Sequence, residues 1–201
     1  MAIRSTDTDE QKLDDTAQRV PVRRRIGIRR AAAAITLTVA SVAGVAIGAG
    51  QAAADGSYTG QAYFRGSGGL VDDWDDEGVV NVSTHRVSNV TCLWQHVLEA
   101  DGYLDLRETD GIFGDRTHAA TVRWQRDRGL TPDGSVGRLS WARAGNNLQD
   151  LGTDTSGYRT GHYNGSSSGK SLRRNTAGVH QFWDQDGGVY RTVSYNSRTC
   201  R

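Results

Sequence analysis

The chain lacks the residue patterns that most hydrolytic chemistry needs. Its five histidines, His85, His96, His118, His162 and His180, form no H-x-H or H-E-x-x-H pairing. The three ligands and base of a zinc hydrolase are therefore not laid out. Only two cysteines occur, Cys92 and Cys200. Neither has the close Cys or His partners of a zinc site, and Cys200 has no histidine near it to make it a nucleophile. The segment Gly165 to Ser171 reads G-x-x-x-G-K-S, one residue short of the spacing that lets backbone amides wrap phosphates. Ser167-x-x-Lys170 lacks the S-D-N and K-T-G partners of penicillin-recognising enzymes. The acidic run Asp72-Asp73-Trp74-Asp75-Asp76-Glu77 does not follow the alternating spacing of a calcium loop, and it reads as a solvated loop. No metal and no cofactor are expected. Lysine is scarce, two against 22 arginines, which suits a GC-rich coding genome such as that of a secreting actinomycete.

At the N-terminus, basic residues end in Arg23-Arg24-Arg25-Ile26-Gly27-Ile28-Arg29-Arg30, an uncharged run rich in Ala and Gly follows from Ala31 to Gly50, and Ala52-Ala53-Ala54 precedes Asp55. This order of basic region, apolar region and small-residue site is that of a cleaved signal peptide over residues 1–54. Removing it takes away eight basic and five acidic residues, leaving 16 and 18 in 147 residues, a net charge of −2. That is one domain's length. Its near-neutral balance argues against nucleic acid as a partner, and cleavage would leave no stable membrane insertion. Two cysteines in an exported chain read as a Cys92–Cys200 disulfide. The alternative is pairing between two chains through Cys200.

The strongest positive signal is an internal duplication. Asp110-Gly111-Ile112-Phe113-Gly114-Asp115-Arg116-Thr117 and Asp133-Gly134-Ser135-Val136-Gly137-Arg138-Leu139-Ser140 both read D-G-x-(apolar)-G-x-x-(Ser/Thr). Thr91-Cys92-Leu93-Trp94-Gln95 and Thr121-Val122-Arg123-Trp124-Gln125 share T-x-x-W-Q, 30 residues apart. Each is followed by a glycine with an apolar neighbour, Gly102-Tyr103-Leu104 and Gly129-Leu130. A glycine there ends a helix by turning left-handed, which it does without a Cβ clash. The unit is therefore helix, glycine stop, D-G turn, next helix. Val90, Leu93, Trp94, Val97 and Leu98 share one helical face, with Ser88 or Asn89 as N-cap. A second helix runs from Asp115 to Arg128 with Thr117, Ala120, Thr121 and Trp124 inward. A third runs from Arg138 to about Ala144 with Leu139 and Trp141 as core candidates. His96 and His118 are expected to face solvent.

The ordered set Trp94-Gln95, Gly102-Tyr103, Asp110-Gly111-Ile112-Phe113-Gly114, Thr117, Trp124-Gln125, Gly129-Leu130, Asp133-Gly134, Val136-Gly137 and Ser140-Trp141 resembles the type 1 peptidoglycan-binding domain. The resemblance covers about 57 of 201 residues, 88–144. It implies a small three-helix module that holds cell-wall peptidoglycan. Trp94 and Trp124 stand where that family has Leu and Phe, and they need more room.

Outside the module, 55–87 reads as a Gly/Asp-rich segment with one short strand over Gly78 to Val87. Residues 146–175 are rich in Gly, Ser, Thr and Asn without helical period and read as loop. Val179 to Trp183 and Val189 to Tyr195 read as a hairpin, so 145–201 is loop plus hairpin. The expected fold is mainly α, a three-helix module with a Gly/Asp-rich N-terminal segment and a small C-terminal β-hairpin. The expected function is a secreted, non-catalytic cell-wall binding protein. The alternatives are a small wall hydrolase built around His162, His180 and Asp184, or a module that docks another secreted wall protein. Ligand contacts are expected at loops and helix starts, where backbone amides are free: Tyr103, Asp110, Arg116, Gln125, Asp133 and Arg138.

Overall fold

The computed structural model describes residues 60–200, so the leader expected over 1–54 lies outside the described residues. Three helices come first: α1 (Asn89–Ala100), α2 (Asp115–Asp127) and α3 (Arg138–Gly145), with a 3-10 turn at Leu106–Glu108. Ser88 caps α1, its hydroxyl accepting from the Thr91 N–H at 3.0 Å. Both longer helices stop as the glycines demand. Tyr103 N–H donates to Leu98 O and Leu130 N–H to Gln125 O, at 2.8 and 2.9 Å, closing the same capping motif twice.

The expectation of a mainly α fold is wrong. Five strands follow the helices: β1 (Leu148–Thr153), β2 (Arg159–Asn164), β3 (Gly169–Arg174), β4 (His180–Asp184) and β5 (Val189–Thr192). They form one antiparallel meander in sequence order, with an irregularity in β1 between Asp150 and Gly152. The residues 146–175 that read as loop hold three of these strands, and the C-terminal hairpin is only the last two of the five. Two of the turns share one design. Asp154 accepts from the N–H groups of Ser156 and Tyr158, and Asn175 from those of Ala177 and Val179. Asp154 and Asn175 thus close the two hairpins.

The strand expected over Gly78 to Val87 is also absent. That stretch makes two isolated bridges instead, Val80 to Val136 and Val87 to Ile112, so it touches one D-G turn after the other. Nor is the acidic run a solvated loop. Asp73, Trp74 and Glu77 are buried, and Asp73 pairs with Arg174 and, at 2.9 Å, with His180.

Helices and N-terminal segment share one core on the inner face of the sheet. Trp141 of α3 is its hub, edge-on to Phe64, Trp74 and Trp94 with ring centroids 5.2, 5.7 and 5.3 Å away; edge-to-face pairs of this kind add stability beyond their buried area. Trp94 and Trp124 are both fully buried with their N–H groups satisfied. Trp94 Nε1 donates to Thr121 Oγ1 at 2.9 Å and Trp124 Nε1 to Asp101 Oδ2 at 2.7 Å. Leu139 is not in the core but is 61 % exposed. His96 does not face solvent: it is buried against Phe182, because α1 lies across the sheet. His118 is half-buried, its ring beneath Gly134.

The chain's end belongs to this fold. Cys92 and Cys200 are joined in a disulfide spanning 108 residues, rather than pairing two chains. Beside it, Arg198 Nη1 donates to Asp110 O at 3.0 Å, and Thr199 N–H to Asn89 Oδ1 at 2.8 Å.

Candidate functional site

The duplication in sequence is a duplication of one hydrogen-bonded node. In the first copy the Gln95 amide donates to Asp110 Oδ1, Ile112 O and Thr117 Oγ1, and its oxygen accepts from Gly111 N–H, all within 2.7–3.1 Å. In the second, Gln125 donates to Asp133 Oδ1, Ser135 O and Ser140 Oγ and accepts from Gly134 N–H, all within 2.8–3.1 Å. The two sets match atom for atom. A helix glutamine thus stands in for backbone partners and fixes the D-G turn ahead of the next helix. This explains why the repeat ends in Ser/Thr, whose hydroxyl completes the node. Gly111 and Gly134 are left-handed, at φ 72° and 71°, as the turn requires.

The two turns differ in what covers them. A Cβ on Gly111 would meet Cys200 Sγ at 2.7 Å and Arg198 Cγ at 2.8 Å, so the C-terminal tail lies on the first turn. The tail does not reach the second turn, whose Gly134 packs on the His118 ring instead, with no room for an added Cβ, and which borders a shallow cleft lined by Leu130, Thr131, Asp133, Ser135 and Leu139. α3 starts at this cleft from Gly137 with no side chain capping its first N–H groups, as α2 starts from Gly114.

The six expected contact residues fall into three places. Gln125, Asp133 and Arg138 surround the second turn. Asp110 and Arg116 belong to the first, and Tyr103 sits at the C-terminal end of α2, its hydroxyl donating to Asp127 Oδ2 at 2.6 Å. Gln125 is buried with its amide spent on the turn; Asp110 and Asp133 also serve their turns, accepting from the N–H two residues on. Arg116 is 82 % exposed and paired with Glu108, whereas Arg138 is 54 % exposed and 3.8 Å from Asp75. Leu139, which the sequence points to the core, is the apolar wall of the cleft instead. Sequence reasoning passed over Gln95, although T-x-x-W-Q held the signal, and Asp101, which had none. Asp101 is buried and accepts from Trp124, Arg128 Nη2 (2.6 Å), Tyr163 Oη (2.7 Å) and Ser166 N–H (3.1 Å), tying α2 to β2.

The histidines and carboxylate around which a hydrolase could be imagined are not brought together. His180 and Asp184 stand at opposite ends of β4, and His162 is on the other face of the sheet, opposite Ser171. Asp184 pairs with Arg191 at 2.8 Å.

The titratable group that stands out is Glu77. It lies beside a small cavity with Arg65, Gly66 and Gly178, accepts from Arg65 N–H at 2.7 Å and Tyr195 Oη at 2.6 Å, and burial pushes it up to about 8. Burial also holds His96 down, to about 4. The two act in opposite senses. Folded Glu77 keeps a proton that the unfolded chain gives up above about 4.5, so its contribution falls as pH rises towards 8. Folded His96 refuses a proton that the unfolded chain takes below 6.5, so stability falls as pH drops through that range. Burial lowers His85 and His180 as well, so near 6.5 the histidines oppose Glu77, and only as pH nears 8 does Glu77 dominate, with unfolding free energy falling as pH rises by at most roughly 1.4 kcal/mol per pH unit. Urea titrations of the parent and Glu77→Gln check this: the variant should lack the fall towards pH 8, and an equal fall in both would refute it.

Residues 92–143 match the family described as "Putative peptidoglycan binding domain". An "Uncharacterized protein in bpoA1 3'region" from Kitasatospora aureofaciens is 50 % identical over 36 residues, which is 18 % of this chain and 30 % of that protein. The chain therefore spans less than a third of this relative's length. No solved structure matches.

Proposed function

We propose that this chain is an exported, non-catalytic protein that binds cell-wall peptidoglycan through the cleft beside the second turn of its duplicated helical unit. The observation that carries this is the family match over residues 92–143. The geometry of the second turn supports it. An uncapped helix start suits a carboxylate of the wall's peptide, Leu139 and Leu130 offer apolar contact, and Arg138 adds a cation at the rim. The first turn, under the tail, would serve as scaffold, with Arg116 at its edge. Export rests on the leader read from the sequence, and the wall is where such a chain would meet its ligand.

The full purified chain should sediment with insoluble peptidoglycan at low salt and release no soluble fragments from dye-labelled wall. Leu139→Asp should weaken sedimentation about tenfold, the value of one leucine side chain leaving water. Arg116→Ala with Arg138→Ala should also weaken it, without unfolding, since both side chains are exposed. Failure of the parent to sediment would remove the binding reading, dye release would remove the non-catalytic one, and unchanged affinity in both variants would remove this seat.

A further inference from the structure

The face of the sheet turned away from the helices has a composition of its own. Across β2 to β5 its outward residues include Arg173, Gln181, Trp183, Tyr190 and Thr192, joined by Tyr158 just before β2. The Arg173 guanidinium lies between two rings, 4.0 Å from the centroid of Tyr158 and 3.9 Å from that of Tyr190. Trp183 stands edge-on to Tyr190 at 5.1 Å and is 37 % exposed. Gln181 Oε1 accepts from Arg173 Nε at 2.7 Å, and its amide donates to Thr192 Oγ1 at 3.4 Å. The aromatic side chains are thus fixed in place by one another and by planar polar groups.

The charge of the face is one-sided. No outward position on the five strands is Asp or Glu. The sheet's two carboxylates, Asp150 and Asp184, point inward to Arg159 and Arg191. An aliphatic protein partner has little to grip here, because the rings are interleaved with amide, hydroxyl and guanidinium. A nucleic acid needs several cations along its backbone, and Arg173 stands between its two rings. A pyranose chain fits both properties. Its rings present C–H faces that pack on aromatic side chains, and its rim of hydroxyls meets Gln181, Thr192 and Arg173. The four strands β2 to β5 at about 4.8 Å spacing make a row roughly 14 Å long, enough for two or three sugar rings.

We infer that the outer face of the five-stranded sheet is a second binding site, for an uncharged or anionic glycan chain, seated on Trp183, Tyr190 and Tyr158. It lies outside residues 92–143 and does not depend on the reading above.

Calorimetric titration of the full chain with the N-acetylglucosamine hexamer tests it, with amide NMR shifts locating the contact. The hexamer should bind saturably and shift residues of β3, β4 and β5. Trp183→Ala and Tyr190→Ala should each weaken it about tenfold, while Leu139→Asp should leave it unchanged. The deacetylated hexamer, which is cationic, should bind more weakly because Arg173 repels it. Absence of saturable binding, equal affinity for the cationic hexamer, or parent-like affinity in the folded Trp183→Ala/Tyr190→Ala double variant would overturn the assignment. So would a dimer that Trp183→Ala dissociates, since the face would then belong to a second copy.

Discussion

Reducing the Cys92–Cys200 bond should lower the unfolding free energy by about 4 to 5 kcal/mol. The bond closes a loop with a sequence separation of 108. On the chain-entropy account a loop of about 100 residues is worth roughly 4.7 kcal/mol, a large share of the 5–15 kcal/mol that typically holds a domain together. The loss is local as well. Cys92 is wholly buried in α1 and Cys200 almost so, and the bond holds Arg198 against Asp110 O and Thr199 against Asn89. Without it the tail should peel from the first turn. Denaturant curves of the parent with and without reductant, beside Cys92→Ser/Cys200→Ser, measure this. The double variant should behave like the reduced parent, and a midpoint unmoved by reductant would contradict the account. Hydrogen exchange at Gly111 and Asn89 should quicken on reduction before the sheet opens.

Asp101→Ala is expected to cost about as much, roughly 3 to 5 kcal/mol, by a different route. The carboxylate is 6 % exposed and receives hydrogen bonds from an indole, a guanidinium, a phenol and a backbone amide. Truncation would strand the Arg128 cation, only 16 % exposed, and removing one partner of a buried pair leaves an uncompensated charge. It would also orphan Trp124 Nε1 and Tyr163 Oη. Asp101→Asn keeps an acceptor but loses the charge, and should fall between parent and Ala. Urea unfolding of the three proteins ranks them, and a loss under about 1 kcal/mol in Asp101→Ala would show that the helices and sheet do not lean on this joint.

The helical unit was legible in the sequence because its repeats carry local chemistry. T-x-x-W-Q and D-G-x-x-G sit at fixed offsets, and the Gln of the one meets the Asp-Gly of the other in each copy. The sheet was illegible because its strands break the usual alternation of apolar and polar residues. On β3 the inward positions are Lys170, Leu172 and Arg174, two cations among three. They can face inward because Glu99 on α1 and Asp73 in the N-terminal segment neutralise them, and those partners lie 71 and 101 residues away in the chain. On β2 the inward Gly161 shows no side chain at all. It makes room for Leu70, whose Cδ1 would stand 2.6 Å from an added Cβ. Leu139 was misread because helical spacing alone cannot distinguish a core face from the wall of a cleft. Both turns were legible as turns, but that the tail lies on the first and the His118 ring on the second depends on where distant residues come to rest.

The N-terminal segment draws its backbone partners from the far end of the chain. Phe64 N–H donates to Val193 O at 3.0 Å and Tyr195 N–H to Ala62 O at 3.0 Å, while Tyr195 Oη reaches Glu77 at 2.6 Å. These closures need residues more than 110 positions apart to meet, and they seal the same core that Trp141 organises. Chains dominated by such distant pairings pass a slow entropic barrier, with folding times on the order of milliseconds to seconds. Synthesis from the N-terminus releases the helical unit before residues 193–200, which finish its core. Until Tyr195 has emerged, Glu77 has no phenol to bond, and until Cys200 follows, Cys92 has no sulfur to meet. Completion of this core therefore waits on Tyr195 and Cys200, and the bond to Cys92 can close only once both have emerged.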